Sequence, residues 1–396
     1  MKNLFFKKSF EACIIILIIS SSLFPITSGI QINRIQNKFE NIVCLSNDSD
    51  FDQNIHSLMN ISHIPSISVA IVKNNSVVWS RGYGFYDLDN QKLANNETIY
   101  MAGSISKSFT ATAILQLYEQ GLIDIDCDAS KYLGFSFKHP KFPDVNITLR
   151  MLLSQTSGIA KNSLKFVFYF RNKDYTSENF DYYFNTYDPG IWLNNKPGTT
   201  QHYSNIGFDL LGFVLEKQTG QSIEEYCQES ILQPLGMTNS SFHFNKLNQS
   251  RLAIPYVWIF RRYIPLLPYD IRFKAAGGLH TTVLDLSRFM IAHMNSGTYD
   301  DVKILNATTA RDMHKVHSKG FIFDYGLGWI IWNGFDGIYQ GHGGCTIGFE
   351  ATMKYKIDDN TGLICFWNQY LGARRVIQMI AYRLIERAFF EKAEEL

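Results

Sequence analysis

The sequence predicts a mixed α/β fold of the α+β kind: one antiparallel sheet flanked by helices, with an all-helical domain inserted into it. Two observations carry this. β-branched, alternating segments lie near both ends of the chain, at 66–86 and 337–367, while apolar residues at helical spacing fill the middle. Strands so far apart satisfy their backbone groups by meeting in one sheet, which makes the middle an insertion. A third observation bounds the size. The chain has 396 residues, 46% of them hydrophobic and 14% aromatic, enough for a large core. A formal net charge of +1 argues against a nucleic-acid surface or an acidic tail.

Residues 1–29 read as a secretory signal peptide. Lys2, Lys7 and Lys8 precede an apolar run from Ala12 to Phe24, and Thr27-Ser28-Gly29 supplies small residues for cleavage. The run is short for a membrane span, which takes about 20 residues. The expected location is therefore secreted, with a membrane-anchored form as the alternative if the segment stays uncleaved. Asn-x-Ser/Thr sequons headed by Asn47, Asn60, Asn74, Asn96, Asn146, Asn239, Asn248 and Asn306 suit that route. Residues 30–49 form a linker and 50–396 the folded domain. Its α/β part covers about 50–115 and 270–396, and its helical part about 116–269. Past the signal stand Cys44, Cys127, Cys227, Cys345 and Cys365. An odd number leaves at least one free thiol, and at most one or two disulfides are expected.

The elements follow in order. Asp50–His63 reads as a helix. Ser66–Lys73 is β-branched, Asn74-Asn75 supplies turn chemistry and Val77–Tyr86 resumes as a strand, which makes a hairpin. A helix runs from Ser104 to about Gln120 and stops at Gly121. Thr148 is an N-cap for a short helix ended by Gly158. Residues 163–193 are crowded with aromatics, which either pack between helices or line an entrance. After the Pro197-Gly198 turn, helices are expected over about 207–219 and 223–232. Tyr256–Tyr269 is aromatic and broken by proline, and reads as loop. Ala275-Ala276-Gly277-Gly278 precedes a helix at Val283–Asn295. Gly337–Gln340, Gly348–Ile357 and Leu363–Trp367 read as strands, and 372–393 as a closing helix.

Three separated pieces carry candidate chemistry. Ser104 and Lys107 stand three apart at a helix start, so they share a face and the amine reaches back to the hydroxyl. A serine nucleophile needs such a base, and fixed donors for the oxyanion that follows. Tyr203 and Asn205 follow the Pro-Gly turn, and His342-Gly343-Gly344 lies among the late strands. Competing chemistries lack their residues. There is no G-x-S-x-G and no H-E-x-x-H, and nothing near His314 and His317 completes a metal site. No metal or cofactor is implied.

With these pieces the chain resembles the serine β-lactamases and penicillin-binding proteins, in particular the class C β-lactamase-related branch with its esterases and D-amino-acid peptidases. S-x-x-K is a signature of that superfamily. Ile147–Gly158 resembles its T-I-x-x-L-L-x-H-T-S-G element, with Gln155 where His is usual. Pro197-Gly198, Tyr203-Ser204-Asn205 and Leu211-Gly212 resemble its P-G…Y-S-N…L-L-G. Pro234–Met237, Ala276–Leu279 and Tyr325–Trp329 are family-like as well, so the likeness covers roughly residues 50–370.

The resemblance implies a β-lactamase/transpeptidase-like fold and acyl transfer to water through an ester on Ser104. It makes Lys107 and Tyr203 the proton-transfer groups, with the base open between them. Asn205 would bond Lys107 or the substrate amide. Gly344 lets backbone approach the ligand, and the Cys345 N–H would join that of Ser104 in an oxyanion hole. The Cys345 side chain would either border the acyl pocket or turn into the sheet as a small hydrophobe. His342 and Gly343 stand where β-lactamases proper carry Lys and Thr to hold a carboxylate. An uncharged His suits that task poorly. The expected substrate is accordingly a small ester or peptide rather than a β-lactam. Two alternatives are a non-catalytic binding protein retaining the fold, and a cell-wall peptide carboxypeptidase or β-lactamase.

Overall fold

The computed structural model describes residues 48–160, 164–187, 190–334, 337–372 and 375–396. The signal segment, the linker up to residue 47 and Cys44 lie outside them. The main sheet has eight strands: β1 (Ser66–Lys73), β2 (Ser76–Asp87), β3 (Lys92–Leu93), β4 (Asp324–Tyr325), β5 (Ile330–Asn333), β6 (Ile338–Thr346), β7 (Phe349–Lys356) and β8 (Thr361–Trp367). Their order is β4-β5-β6-β7-β8-β1-β2-β3, antiparallel throughout. The two ends of the chain join where β1 pairs β8, with Ile67 opposite Trp367 and Lys73 opposite Thr361.

Five helices of the described residues run twelve residues or longer: α1 (Asp48–Ser62), α2 (Ser106–Glu119), α3 (Asn205–Thr219), α4 (Val283–Met294) and α5 (Arg375–Glu395). β1 is buried on both faces, and its alternation sorts two cores. Ile67, Val69 and Ile71 face a layer with Ile55 and Leu58 of α1 and Ile385 and Phe389 of α5. Ala70 and Val72 join the larger core on the opposite face, with Phe109 of α2, Leu211 of α3 and Phe289 of α4. Sheet between helices is the outcome, with α2 buried from Ser106 to Leu117.

Three expectations change. Tyr256–Tyr269 is not a loop: Tyr256–Ile259 and Arg262–Pro265 form a hairpin. Its turn places Phe260 and Arg261 at φ 52° and 62°, a conformation usually signalled by Asn or Gly, so the sequence carries no turn cue. The middle region is thus not wholly helical, and a second hairpin stands at Lys138–His139 and Phe142–Asn146. The strand read as 337–340 runs on to Thr346, because β7 continues to pair it. Five of the eleven crowded aromatics, Phe166, Phe170, Phe180, Tyr183 and Phe184, are buried core, Tyr169, Tyr175 and Trp192 pack partly buried against it, and Phe168, Tyr182 and Tyr187 are exposed. Among the described residues Cys127, Cys227 and Cys365 are free thiols.

Candidate active site

Residues 103–105 make a single 3-10 turn that leads into α2 and carries Ser104. Gly103 opens it at φ 55°, and a Cβ there would come 2.8 Å from the Cys345 nitrogen. Glycine is required on both counts. Ser106 staples the turn: its Oγ donates to the Gly103 carbonyl at 2.7 Å and accepts the Leu279 N–H at 3.0 Å. Ser104 remains partly open to solvent.

Lys107 lies one turn on and is completely buried. Its Nζ donates to Ser104 Oγ at 3.0 Å and to the Ala276 carbonyl at 2.6 Å. That carbonyl is offered by the Ala275–Leu279 segment, tied to α2 by Thr110 Oγ1 donating to Ala275 O at 2.7 Å. Burial pulls the lysine down to about 7, against the opposing pull of Asp209 and Cys345. A neutral amine beside a hydroxyl can take its proton.

Tyr203 sits just ahead of α3, whose N-cap is Ser204. Lys107 Nζ is 5.0 Å from its ring centroid, and its phenol interacts with the Ser104 side chain. Burial pushes the phenol well above its usual range, with Tyr325 adding to the shift. Gln155 braces this segment from both sides. Its Oε1 accepts the Ser204 N–H at 2.7 Å, and its carbonyl accepts the His202 N–H at 2.7 Å. Asn205 opens α3 two residues beyond Tyr203 and is half-buried.

Strand β6 supplies the third side. β5 pairs it only as far as Gly341, so residues 342–346 have β7 on one edge and the serine turn on the other. A Cβ at Gly344 would collide with the Ala102 carbonyl and reach within 3.1 Å of the Ser104 nitrogen. The Ser104 and Cys345 amides are therefore brought together as candidate oxyanion donors. The Cys345 side chain is exposed, not folded into the sheet core.

His342 does not present itself to a ligand. It is 1% exposed. Its Nδ1 donates to the Gly343 carbonyl at 2.6 Å, which fixes the tautomer, and Nε2 accepts from Tyr325 at 3.0 Å. Burial and the Lys107 charge hold it down to about 3. The expectation of a binding His is thus corrected to a buried neutral one behind Tyr325, with Tyr203 at a ring distance of 6.1 Å.

The structure brings Ser104, Lys107, Tyr203, Gly344 and Cys345 together. It adds three residues that sequence reasoning missed. Gln155 and Tyr325 stood inside recognised motifs without an assigned role. Asp209 left a cue, as the lone charge in the apolar run Ile206–Leu215. Among the described residues no cluster of His, Cys, Asp and Glu could hold a metal ion.

The family model described as Beta-lactamase matches residues 51–386. Protein flp of Staphylococcus aureus (strain MRSA252) is 29% identical over 334 residues, covering 82% of this chain and 64% of that protein. The chain therefore spans under two thirds of that relative's length. Penicillin-binding protein 4* of Bacillus subtilis (strain 168) is 25% identical over 76% of this chain and 68% of its own. The octameric penicillin-binding protein homologue from Pyrococcus abyssi superposes with a TM-score of 0.72 at 29% identity, covering 86% of this chain and 77% of that one. A class C β-lactamase superposes at 0.67 and 20% identity, over 91% and 98%, a likeness of fold. With most of its described length matched, the chain belongs to the β-lactamase family.

Proposed function

We propose that this protein is a serine hydrolase that cleaves a small ester or peptide bond through an acyl-enzyme on Ser104. The observation that carries the reading is Ser104 Oγ held 3.0 Å from a lysine whose charge is opposed by complete burial. Lys107 and Tyr203 are pushed in opposite directions, and such a split assigns roles. The neutral Lys107 amine takes the Ser104 proton as Oγ attacks the acyl carbonyl. The phenol keeps its proton and passes it to the departing alcohol or amine, to be recharged from Lys107. The amides of Ser104 and Cys345 receive the oxyanion. Water then attacks the ester, its proton returns along the same groups, and Ser104 is released.

The substrate side of the reading rests on β6. The position that would offer a cation to a carboxylate holds a buried, neutral His342, so a β-lactam finds no counter-charge there. Beside the Tyr203 segment, Gly320 abuts Gln201, and the next residues, Phe321 and Ile322, are exposed. That rim suits an uncharged acyl or alkyl group. The signal-like N-terminus and exposed sequons such as Asn60, Asn146 and Asn306 support a secreted protein.

Intact-mass analysis after a fluorophosphonate probe, and in parallel after labelled penicillin, tests the function. The expected result is one phosphonate per chain, none on Ser104→Ala, and no stable or turned-over penicillin. No adduct on the parent protein would favour a binding protein, and a penicillin adduct would favour the cell-wall or β-lactamase reading.

A further inference from the structure

A second cavity lies behind the catalytic lysine. It has a volume of about 270 Å³, and its walls include Tyr175, Asp209, Phe213, Glu216, Arg272 and Lys274, but neither Ser104 nor Tyr203. Asp209 is its unusual member. It is 1% exposed, and neither carboxyl oxygen finds a hydrogen-bond partner among the described residues. The nearby Ala276 N–H is given to the Phe273 carbonyl at 3.2 Å. Burial pushes the Asp209 carboxyl well above the usual carboxylate range, opposed by the Lys107 charge, and the Lys107 amine itself is spent on Ser104 and Ala276. The Tyr175 hydroxyl is a third polar atom out of solvent without a partner among the described residues.

The cations of the wall are committed. Lys274 pairs with Glu224 and lies 2.7 Å from His243 Nε2, while Arg272 donates to the carbonyls of Arg171 and Lys173. Glu216 takes the Ile223 N–H, so Asp209 and Tyr175 make the free capacity of the cavity that of an acceptor. Phe213, Ile223 and Ala275 supply the apolar remainder. Buried acceptors without donors are rare unless something fills them.

We propose that this cavity binds a small primary ammonium compound with a short apolar body. The ammonium would donate to the Asp209 carboxyl and the Tyr175 hydroxyl, and the carbon chain would lie on Phe213. Three N–H donors on a compact head match the three partnerless oxygens of Asp209 and Tyr175. The site is separate from the acyl chemistry, and its existence does not depend on it.

Calorimetric titration with n-butylammonium chloride tests this, with tetramethylammonium and 1-butanol as controls. One butylammonium per chain is expected, with both controls weaker by about tenfold or more, since one lacks N–H donors and the other charge. Binding should survive Ser104→Ala and be lost in Asp209→Asn. Should Asp209→Asn fail to fold by circular dichroism, Tyr175→Phe is read instead and is expected to weaken binding several-fold. The proposal is overturned if butylammonium does not bind, if tetramethylammonium binds equally, if Ser104→Ala abolishes binding, or if the wall variants leave it unchanged. Loss in Ser104→Ala would place the ion in the acyl pocket; a failed phosphonate reaction alone would leave this site standing.

Discussion

In the proposed mechanism the neighbour that takes the Ser104 hydroxyl proton is set by burial. Lys107 is drawn down to about 7, so the rate of phosphonate labelling is expected to rise with pH through that value and level off above it. Stopped-flow labelling between pH 5 and 9 checks this, and a flat profile would remove Lys107 as base. Lys107→Met should slow labelling by roughly 10²-fold or more, and Tyr203→Phe should slow turnover of an ester more than formation of the phosphonate adduct. The same burial has a stability consequence. Between about 7 and the ordinary 10.5 the unfolded lysine holds a proton that the folded one has lost, so this group favours the fold increasingly as pH rises through that window. Serine, lysine and tyrosine were legible because their spacing is local or tied to a Pro-Gly turn. The burial of His342 was not. Two partners, Tyr325 and the Gly343 carbonyl, consume its nitrogens, and only the folded sheet brings Tyr325 there.

The elements around the site tolerate change unevenly, and the glycines of β6 make the contrast sharp. A Cβ at Gly344 strikes the Ala102 carbonyl, whereas one at Gly343 meets only the Ala351 carbonyl at 3.8 Å. Gly344→Ala should push the strand off the serine turn, lowering both the melting temperature and the labelling rate. Gly343→Ala should be nearly silent in both measurements. Equal effects would show that the edge contact does not set the site. Away from the site, Thr148 caps its helix by accepting the Met151 N–H, and Thr148→Ala should cost about 1 kcal/mol in denaturant unfolding. This cap was readable in sequence, as was the Ser66–Asp87 hairpin with its Asn-Asn turn. The Tyr256–Pro265 hairpin was not, since its turn uses Phe260 and Arg261, held at positive φ by the strands on either side.

Across the whole molecule, several histidines are buried without charge. His280 is held down to about 4, and His314 and His342 to about 3, in each case chiefly by burial. The unfolded chain protonates them near 6.5, so it binds more protons than the folded one from there down to about 4. Stability should therefore fall as the pH drops across that range, and urea melts at pH 7 and 4.5 would register it. His342→Gln should reduce the drop, and an unchanged drop would locate the acid sensitivity elsewhere. The overall architecture was open to sequence reading because strand-like segments sat at both ends of the chain, and Ile67, Val69 and Ile71 alternate with inward residues. What sequence could not supply was the pairing partner of β1. That partner, β8, is synthesised about 290 residues later. A ribosome thus delivers a central strand destined for burial on both faces with one edge unpaired, and that edge is closed only after about 290 further residues have been made. Nascent chains arrested before Thr361 should remain protease-sensitive throughout, and release of β8 and α5 should be the event that confers resistance.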